Sequence, residues 1–304
     1  MGIIQFFKNI IKPKNWPLLF FILLNLALIS FLLILIGCSF DLSTFKFDMD
    51  HLSLALIGIG IYFVLLFLTL TPIGEAYLRL TNGAKMLYRE NDESVKRIFD
   101  LFDEVYENAK AKSKGLSKKV KLCYYVSDEP NAYALGRTTL AISTGLMALG
   151  DEEIKGILAH EFGHLATCDS LMSAALIASN SVLLLALNLV KIFFLLILYV
   201  IVTVFYSLAK THPNERRYTL CALFSTLIML IYTLWVMLGK LFMLKTSRSA
   251  EYKADAYAKD LGYGPNLVNA LMQIDPTISI KSSLAQIITH SHPDTAKRIE
   301  RLNA

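Results

Sequence analysis

A chain of 304 residues that is 55% hydrophobic, with a mean hydropathy of +0.49, is too apolar for an ordinary soluble enzyme and points to a membrane protein. The net charge of +5 sits largely in short segments bordering apolar runs, and no basic stripe carries interleaved aromatics, which argues against nucleic-acid binding. The 4 cysteines form no C-x-x-C pair, which argues against a disulfide framework, cysteine-held zinc or thiol redox chemistry.

The first fifteen residues carry Lys8, Lys12 and Lys14 and no acid. Trp16 to Gly37 is then almost wholly apolar, long enough at about 1.5 Å per residue to span a bilayer core. A signal peptide shares the basic start, but this run is longer and lacks a small-residue cleavage site, so an uncleaved anchor is expected. The connection from Ser39 to His51 holds Asp41, Asp48 and Asp50 against Lys46, and Leu52 to Thr71 forms a second span ending at Pro72. The positive-inside rule places the N-terminus, and the chain after the second span, in the cytoplasm. Between Glu75 and Ser117, Ile98, Leu101, Phe102, Val105 and Tyr106 recur at helical spacing and predict an amphipathic soluble helix. Lys118 to Ser127 reads as a strand, Asp128 to Asn131 as a turn, and Arg137 to Ser143 as a second strand.

Gly150 and Asp151 open the next helix, whose first turn is crowded with acids. It carries His160-Glu161-Phe162-Gly163-His164, an H-E-x-x-H pattern. Residues four apart share a helix face, so His160 and His164 can bind one metal ion, with Glu161 angled toward a water in an open position. Two core histidines on an ordinary helix would show the same spacing by coincidence. Cys168 could continue that face, although a buried structural thiol is the simpler reading. From Leu171 to Ala209 the chain is apolar again, too long for one crossing. The third span is expected at 192–209, between Lys191 and Lys210, with 171–190 packed partly against protein. Tyr218 to Leu244 is the fourth. Lys245 onward is soluble: one helix from about Ser247 to Leu261, another opened by Pro265 and ending before Asp275-Pro276, and a last one from near Pro293.

A catalytic zinc needs a third protein ligand. Glu251 and Asp255, four apart, would lie on one helix face, Glu251 to ligate and Asp255 to reach the outer nitrogen of a ligating histidine. The plain alternative is a solvated helix with an Asp255–Lys259 pair. If His164 and Glu251 meet at one ion, the crossings between them must be even in number. A hairpin satisfies this and keeps the site on the side of residues 75–150. The basic connection of Lys210, Arg216 and Arg217 then lies outside, against the charge rule, and parity outweighs it.

The ordered set formed by two N-terminal spans, Asn131-Ala132-Tyr133-Ala134-Leu135-Gly136, Ser143-Thr144-Gly145-Leu146, the H-E-x-x-H helix, a second apolar pair, Ser247-Arg248-Ser249-Ala250-Glu251 with Ala254-Asp255, and Ser291-His292-Pro293 with Arg298 resembles the HtpX family. These are membrane-bound heat-shock zinc metalloproteases, within a clan of membrane gluzincins that includes the CAAX prenyl endopeptidases. The resemblance implies a mainly α membrane protein with about four transmembrane helices and a cytoplasmic zincin-like metalloprotease domain with a small β-sheet. In chain order this gives a membrane hairpin at 1–74 (spans 16–37 and 52–72) and a first half-domain at 75–170. A second hairpin at 171–244 (spans 192–209 and 218–244) and a second half-domain at 245–304 follow.

By resemblance, one Zn2+ is held by His160, His164 and Glu251, Glu161 is the general base, and Asp255 and Arg298 support the site. His292 matches a late histidine that stabilises the oxyanion. Asn131 sits at the cleft, and the strand after it, carrying Ala141, offers its edge to an extended peptide. The expected activity is hydrolysis of misfolded or damaged membrane and cytosolic polypeptides, by a multi-pass protein of the cell inner membrane with N-terminus and catalytic domain cytoplasmic. A CAAX-type processing endopeptidase is the nearest alternative. A metal-regulated transporter is a second, with only Asn180, Asn188 and Lys191 as intramembrane polar residues to serve it.

Overall fold

Apolar runs and patterns of period 3.6 dominate the chain, and its secondary structure is accordingly mostly helical. The computed structural model describes residues 7–37, 49–90, 92–113, 116–208, 216–274 and 295–304. Helices α1 (Trp16–Gly37), α2 (Met49–Thr69) and α3 (Pro72–Thr81) precede strand β1 (Lys85–Met86) and helix α4 (Glu93–Lys112). Strands β2 (Lys121–Tyr125), β3 (Ala132–Leu135) and β4 (Thr139–Ser143) lead to α5 (Asp151–Thr167), which carries H-E-x-x-H. Helices α6 (Asp169–Leu208), α7 (Arg216–Asp260), α8 (Gly264–Ile274) and α9 (Thr295–Asn303) follow. The chain divides into two compact units. One comprises Met1–Trp16, Leu68–Ala175 and Met243–Ala304, the other Pro17–Phe67 and Leu176–Phe242.

The first unit is built on α4 and α5. Asp92 caps α4, its carboxylate accepting from the backbone N–H of Ser94 and Val95, and the apolar face expected from the sequence is buried. That face, Ile98, Leu101, Phe102 and Val105, joins one core with Ile154, Leu158 and Phe162 of α5, Leu140 and Ile142 of β4, and Leu267 of α8. The Phe162 ring lies 5.4 Å from Phe102 and 5.6 Å from Tyr106, so the residue between His160 and His164 is the anchor that fixes α5. Arg97 of α4 sets where α5 begins. It donates to the carbonyls of Met147 and Leu149 at 3.0 and 2.7 Å and pairs with Asp151.

The sheet has the order β1-β2-β4-β3, with β2–β4 parallel and the other pairs antiparallel. The strand expected at 137–143 is therefore central. Ala141 is fully buried and paired on one side with Cys123 and on the other with Tyr133. It has no free edge to offer a peptide, which corrects the sequence expectation. The sheet's edges are the two-residue β1 and β3, a four-residue strand between the turn expected at 128–131 and the strand expected at 137–143. Its half-buried Ala-Tyr-Ala-Leu lacks the polar–apolar alternation by which a strand is recognised. The β3–β4 turn passes through Gly136 at φ +58°, where Glu75 of α3 closes over it. The Glu75 carboxylate accepts from the backbone N–H of Arg137 and Thr138 at 3.4 and 3.1 Å, and from the hydroxyls of Thr138 and Thr139 at 2.7 and 2.5 Å.

Helix α5 stops at Cys168, whose φ of 59° is left-handed and turns the chain sharply into α6. Cys168 therefore does not continue the histidine face. It is a buried thiol, and burial pushes its pKa up. The second correction concerns α7. The fourth apolar run and the helix expected from Ser247 are one uninterrupted helix of 45 residues. Among the described residues, Asp169–Ile201 is the stretch that is long and apolar enough by itself to cross a membrane, with shorter apolar helices at Trp16–Leu32 and Ser225–Gly239. It begins well before the expected span at 192–209, although Leu171, Ala175, Ser179 and Leu183 are buried by protein and exposure rises from Leu185 onward. The acidic connection at 39–48 and most of the basic one at 210–217 lie outside the described residues.

In the second unit a polar knot joins four helices. Asn25 of α1 donates to the Ser179 hydroxyl of α6 at 2.6 Å and accepts from the Trp235 indole of α7 at 2.6 Å. The Tyr62 hydroxyl of α2 lies 2.6 Å from the same Ser179 oxygen. Asn25, Tyr62 and Ser179 are all at most 1% exposed, so each polar group depends on the others for partners. Replacing Asn25 with Ala should leave Ser179 only its Tyr62 contact, take from the Trp235 indole the oxygen it donates to, and cost about 1–3 kcal/mol. Thermal unfolding in detergent should show a lowered midpoint, while Asn25→Gln should lose less.

Candidate metal centre

Residues four apart on α5 bring the imidazoles of His160 and His164 together, their Nε2 atoms 3.2 Å apart. Glu251 of α7 reaches both: one oxygen lies 3.4 Å from His160 Nε2 and the other 3.4 Å from His164 Nε2. Asp255, one turn further along α7, sits behind His160 with its carboxylate 2.9 Å from Nδ1. Arg298 of α9 grips Asp255 with two hydrogen bonds, Nε at 2.9 Å and Nη2 at 2.7 Å, and its Nη1 comes to 3.6 Å from Glu251. His160, Glu161, Glu251, Asp255 and Arg298 are each at most 6% exposed.

Glycine explains how two helices come so close. A Cβ on Gly163 would lie 2.8 Å from the Cα of Ala254, so only hydrogen at this position lets α7 lie against α5 with Glu251 at the histidines. Gly156 does the same for α8, where a Cβ would collide with the backbone of Asn266 and Leu267.

Burial opposes charge on His160, but hydrogen bonds to Asp255 and Glu251 outweigh it and push its pKa from 6.5 up to about 9. Burial also disfavours the Asp255 carboxylate, yet His160 and Arg298 together hold its pKa below the usual carboxylate range. Burial pushes the Tyr125 phenol up, with the Glu161 charge contributing. Tyr125 is the last residue of β2 and was not singled out from the sequence, because nothing local to a strand end reports a neighbour on α5.

The donor set suits a divalent metal. Two imidazole nitrogens and a carboxylate converge, the outer nitrogen of one imidazole is held by a second carboxylate, and Glu161 lies with them, its Oε2 buried without a hydrogen-bond partner among the described residues. Such an oxygen calls for a proton, a water or a cation beside it. Asn131 is exposed at the start of the open β3 edge, its N–H donating to Ser143 Oγ at 2.9 Å. Its neighbour strand β3 packs against α5. His292 lies outside the described residues, as do His290 and Pro293.

A small mixed sheet above a helix bearing H-E-x-x-H, met by a glutamate from a later helix, defines a metalloprotease. The sequence profile described as peptidase family M48 matches residues 94–304, and the chain belongs to that family. The Protease HtpX homolog of Bacillus licheniformis is 28% identical over 225 residues, 67% of this chain and 69% of that protein. The CAAX prenyl protease 1 homolog of Caenorhabditis elegans is 26% identical over 161 residues, 51% of this chain and 33% of that protein. The crystal structure of S. mikatae Ste24p has a TM-score of 0.46 and 23% identity, covering 84% of this chain and 59% of that one.

Two outcomes are expected. Gly163→Ala should push α7 off α5 and abolish metal-dependent activity while costing about 1–3 kcal/mol in stability. Because the His160 pKa is raised on folding, its proton stabilises the chelated protein fully below about 6.5, and that stability is lost as pH rises through about 9. Thermal unfolding in chelator should therefore give a lower midpoint at pH 9 than at pH 6.5, with added zinc removing the difference.

Proposed function

We propose that this protein is a zinc-dependent, membrane-anchored endopeptidase that clears misfolded or damaged membrane and cytosolic proteins from the cytoplasmic face of the cell membrane. One observation carries the reading: two imidazoles and the Glu251 carboxylate converge within 3.4 Å beside a buried Glu161 oxygen that lacks a hydrogen-bond partner among the described residues. His160, His164 and Glu251 would hold one zinc ion. When bound, zinc supplies Lewis acidity toward a water and toward the scissile carbonyl at neutral pH.

The remaining steps belong to the chain's own residues. Asp255, held by Arg298, keeps His160 turned with Nε2 toward the site. Glu161 takes a proton from the attacking water at its carboxylate oxygen and returns it to the departing amine. His292 would add a donor toward the developing oxyanion. The substrate would add an extended strand to the open edge of β3, with Asn131 at its start, because backbone pairing tolerates the varied sequences of damaged proteins.

The spans at 16–37, 52–72, 192–209 and 218–244 would carry the site as two hairpins, their even number returning His164 and Glu251 to one side. A processing enzyme acting on prenylated C-termini is a second reading, favoured by the match to the CAAX prenyl protease homolog. It requires cleavage confined to such peptides, whereas quality control requires cleavage of unfolded chains of varied sequence.

Glu161→Gln should retain one zinc per chain and lose turnover of a casein-like substrate by at least about a hundredfold. Wild-type cleavage by that variant, measured in detergent with zinc content assayed in parallel, would show the mechanism to be wrong.

A further inference from the structure

Helix α3 lies outside the core of the metalloprotease unit. Two residues separate it from the end of α2, and the chain bends by 77° between Leu56–Thr69 and Pro72–Thr81. Gly74 makes the bend possible, since a Cβ there would meet the Leu68 carbonyl at 2.6 Å. The two faces of α3 differ sharply. Gly74, Glu75 and Leu78 are buried, and Glu75 holds the β3–β4 turn. Ile73, Tyr77 and Leu80 are 69%, 57% and 74% exposed. Positions i, i+4 and i+7 form one stripe, so three large apolar side chains point the same way with nothing over them among the described residues.

We propose that α3 lies flat in the membrane surface, with Ile73, Tyr77 and Leu80 seated at the boundary between headgroups and acyl chains. Three features favour lipid over a protein partner. The helix follows directly on the apolar run Leu56–Thr69, and the two together are long and apolar enough to cross a membrane. A helix nearly perpendicular to the one before it leaves a bilayer axis for a bilayer plane. Tyrosine within the stripe matches the amphipathic composition of interfacial helices. The segment before α1 behaves alike: Asn9 and Ile10 are buried while Ile11 and Trp16 are 64% and 59% exposed next to Lys12. Ile11 and Trp16 are joined by a hydrogen bond from the Trp16 indole to the Ile11 carbonyl at 2.9 Å.

The consequence reaches the substrate. The opposite face of the same helix holds the turn that ends β3, so lipid contact fixes the height of the peptide-accepting edge above the membrane. This inference rests on the membrane-anchored reading above.

Tyr77→Trp tests it in vesicles of phosphatidylcholine and phosphatidylglycerol brominated at either shallow or deep acyl positions. The added emission, obtained by difference from the wild type, should be quenched roughly twofold or more by shallow bromine and less by deep bromine, as befits a ring within about 5–10 Å of the headgroups. Stronger quenching by deep bromine would make α3 part of a broken span and overturn the proposal. No quenching at either depth, which a protein partner over the stripe would produce, would overturn it as well. The wild type's own Trp16 and Trp235 separate the two failures: if they too escape quenching, the membrane reading itself has failed. Cleavage of casein in detergent at the wild-type rate verifies that the variant is folded.

Discussion

Asp255 accepts from two sides at once, from the imidazole of His160 at 2.9 Å and from the guanidinium of Arg298 at 2.7 and 2.9 Å, and the rest of the site depends on that double contact. It gathers α5, α7 and α9, which lie far apart in the chain. It fixes which nitrogen of His160 faces Glu251, and it gives the buried Arg298 charge a partner. Buried ion pairs add little net stability, since desolvation offsets most of the attraction, but losing one member leaves an uncompensated charge. The contact therefore acts on geometry more than on energy. It permits few arrangements in which all three charges are satisfied, and the observed one turns His160 Nε2 toward Glu251 and His164.

Close packing makes that contact reachable. Gly163 and Ala254 let α7 approach α5 almost backbone to backbone, and Gly156 does the same for α8. On the far side of α5, Phe162 locks against Phe102 and Tyr106. The H-E-x-x-H helix thus has an apolar anchor on one face, small residues on another and its donors on a third. Each position in the motif answers to a different neighbour.

A second set of contacts holds the turn beside the sheet edge. Glu75 binds the turn between β3 and β4 from α3, and Ser170, at the start of α6, donates to the Gly136 carbonyl in the same turn. The open strand edge is clamped by the two segments that border apolar helices. Within the other unit, Asn25, Tyr62, Ser179 and Trp235 join α1, α2, α6 and α7, where apolar side chains alone would leave helix register weakly specified.

Much of this was legible before the fold was known, because local periodicity is written in contiguous residues. The apolar runs, the amphipathic face of α4, the spacing of His160 and His164 and that of Glu251 and Asp255 are patterns of 3.6 residues, readable without knowing what they face. The need for a third metal ligand even suggested that two distant segments meet. What the sequence left open was whatever depends on a distant neighbour. A four-residue strand without alternation became the sheet edge, while the more apolar strand carrying Ala141 took the centre, where both faces and both edges are covered. Glu75, an ordinary acid after an apolar run, found its partners more than sixty positions away. Gly163 fills one of the motif's unspecified positions, and its role shows only where Ala254 lies against it. The sequence by itself determined the chemistry of the donors and the helices that present them. Only the tertiary structure decided which edge stays open, which small residues let helices touch and which distant charges hold an imidazole in place, since those contacts exist only when separate segments share the same few ångströms.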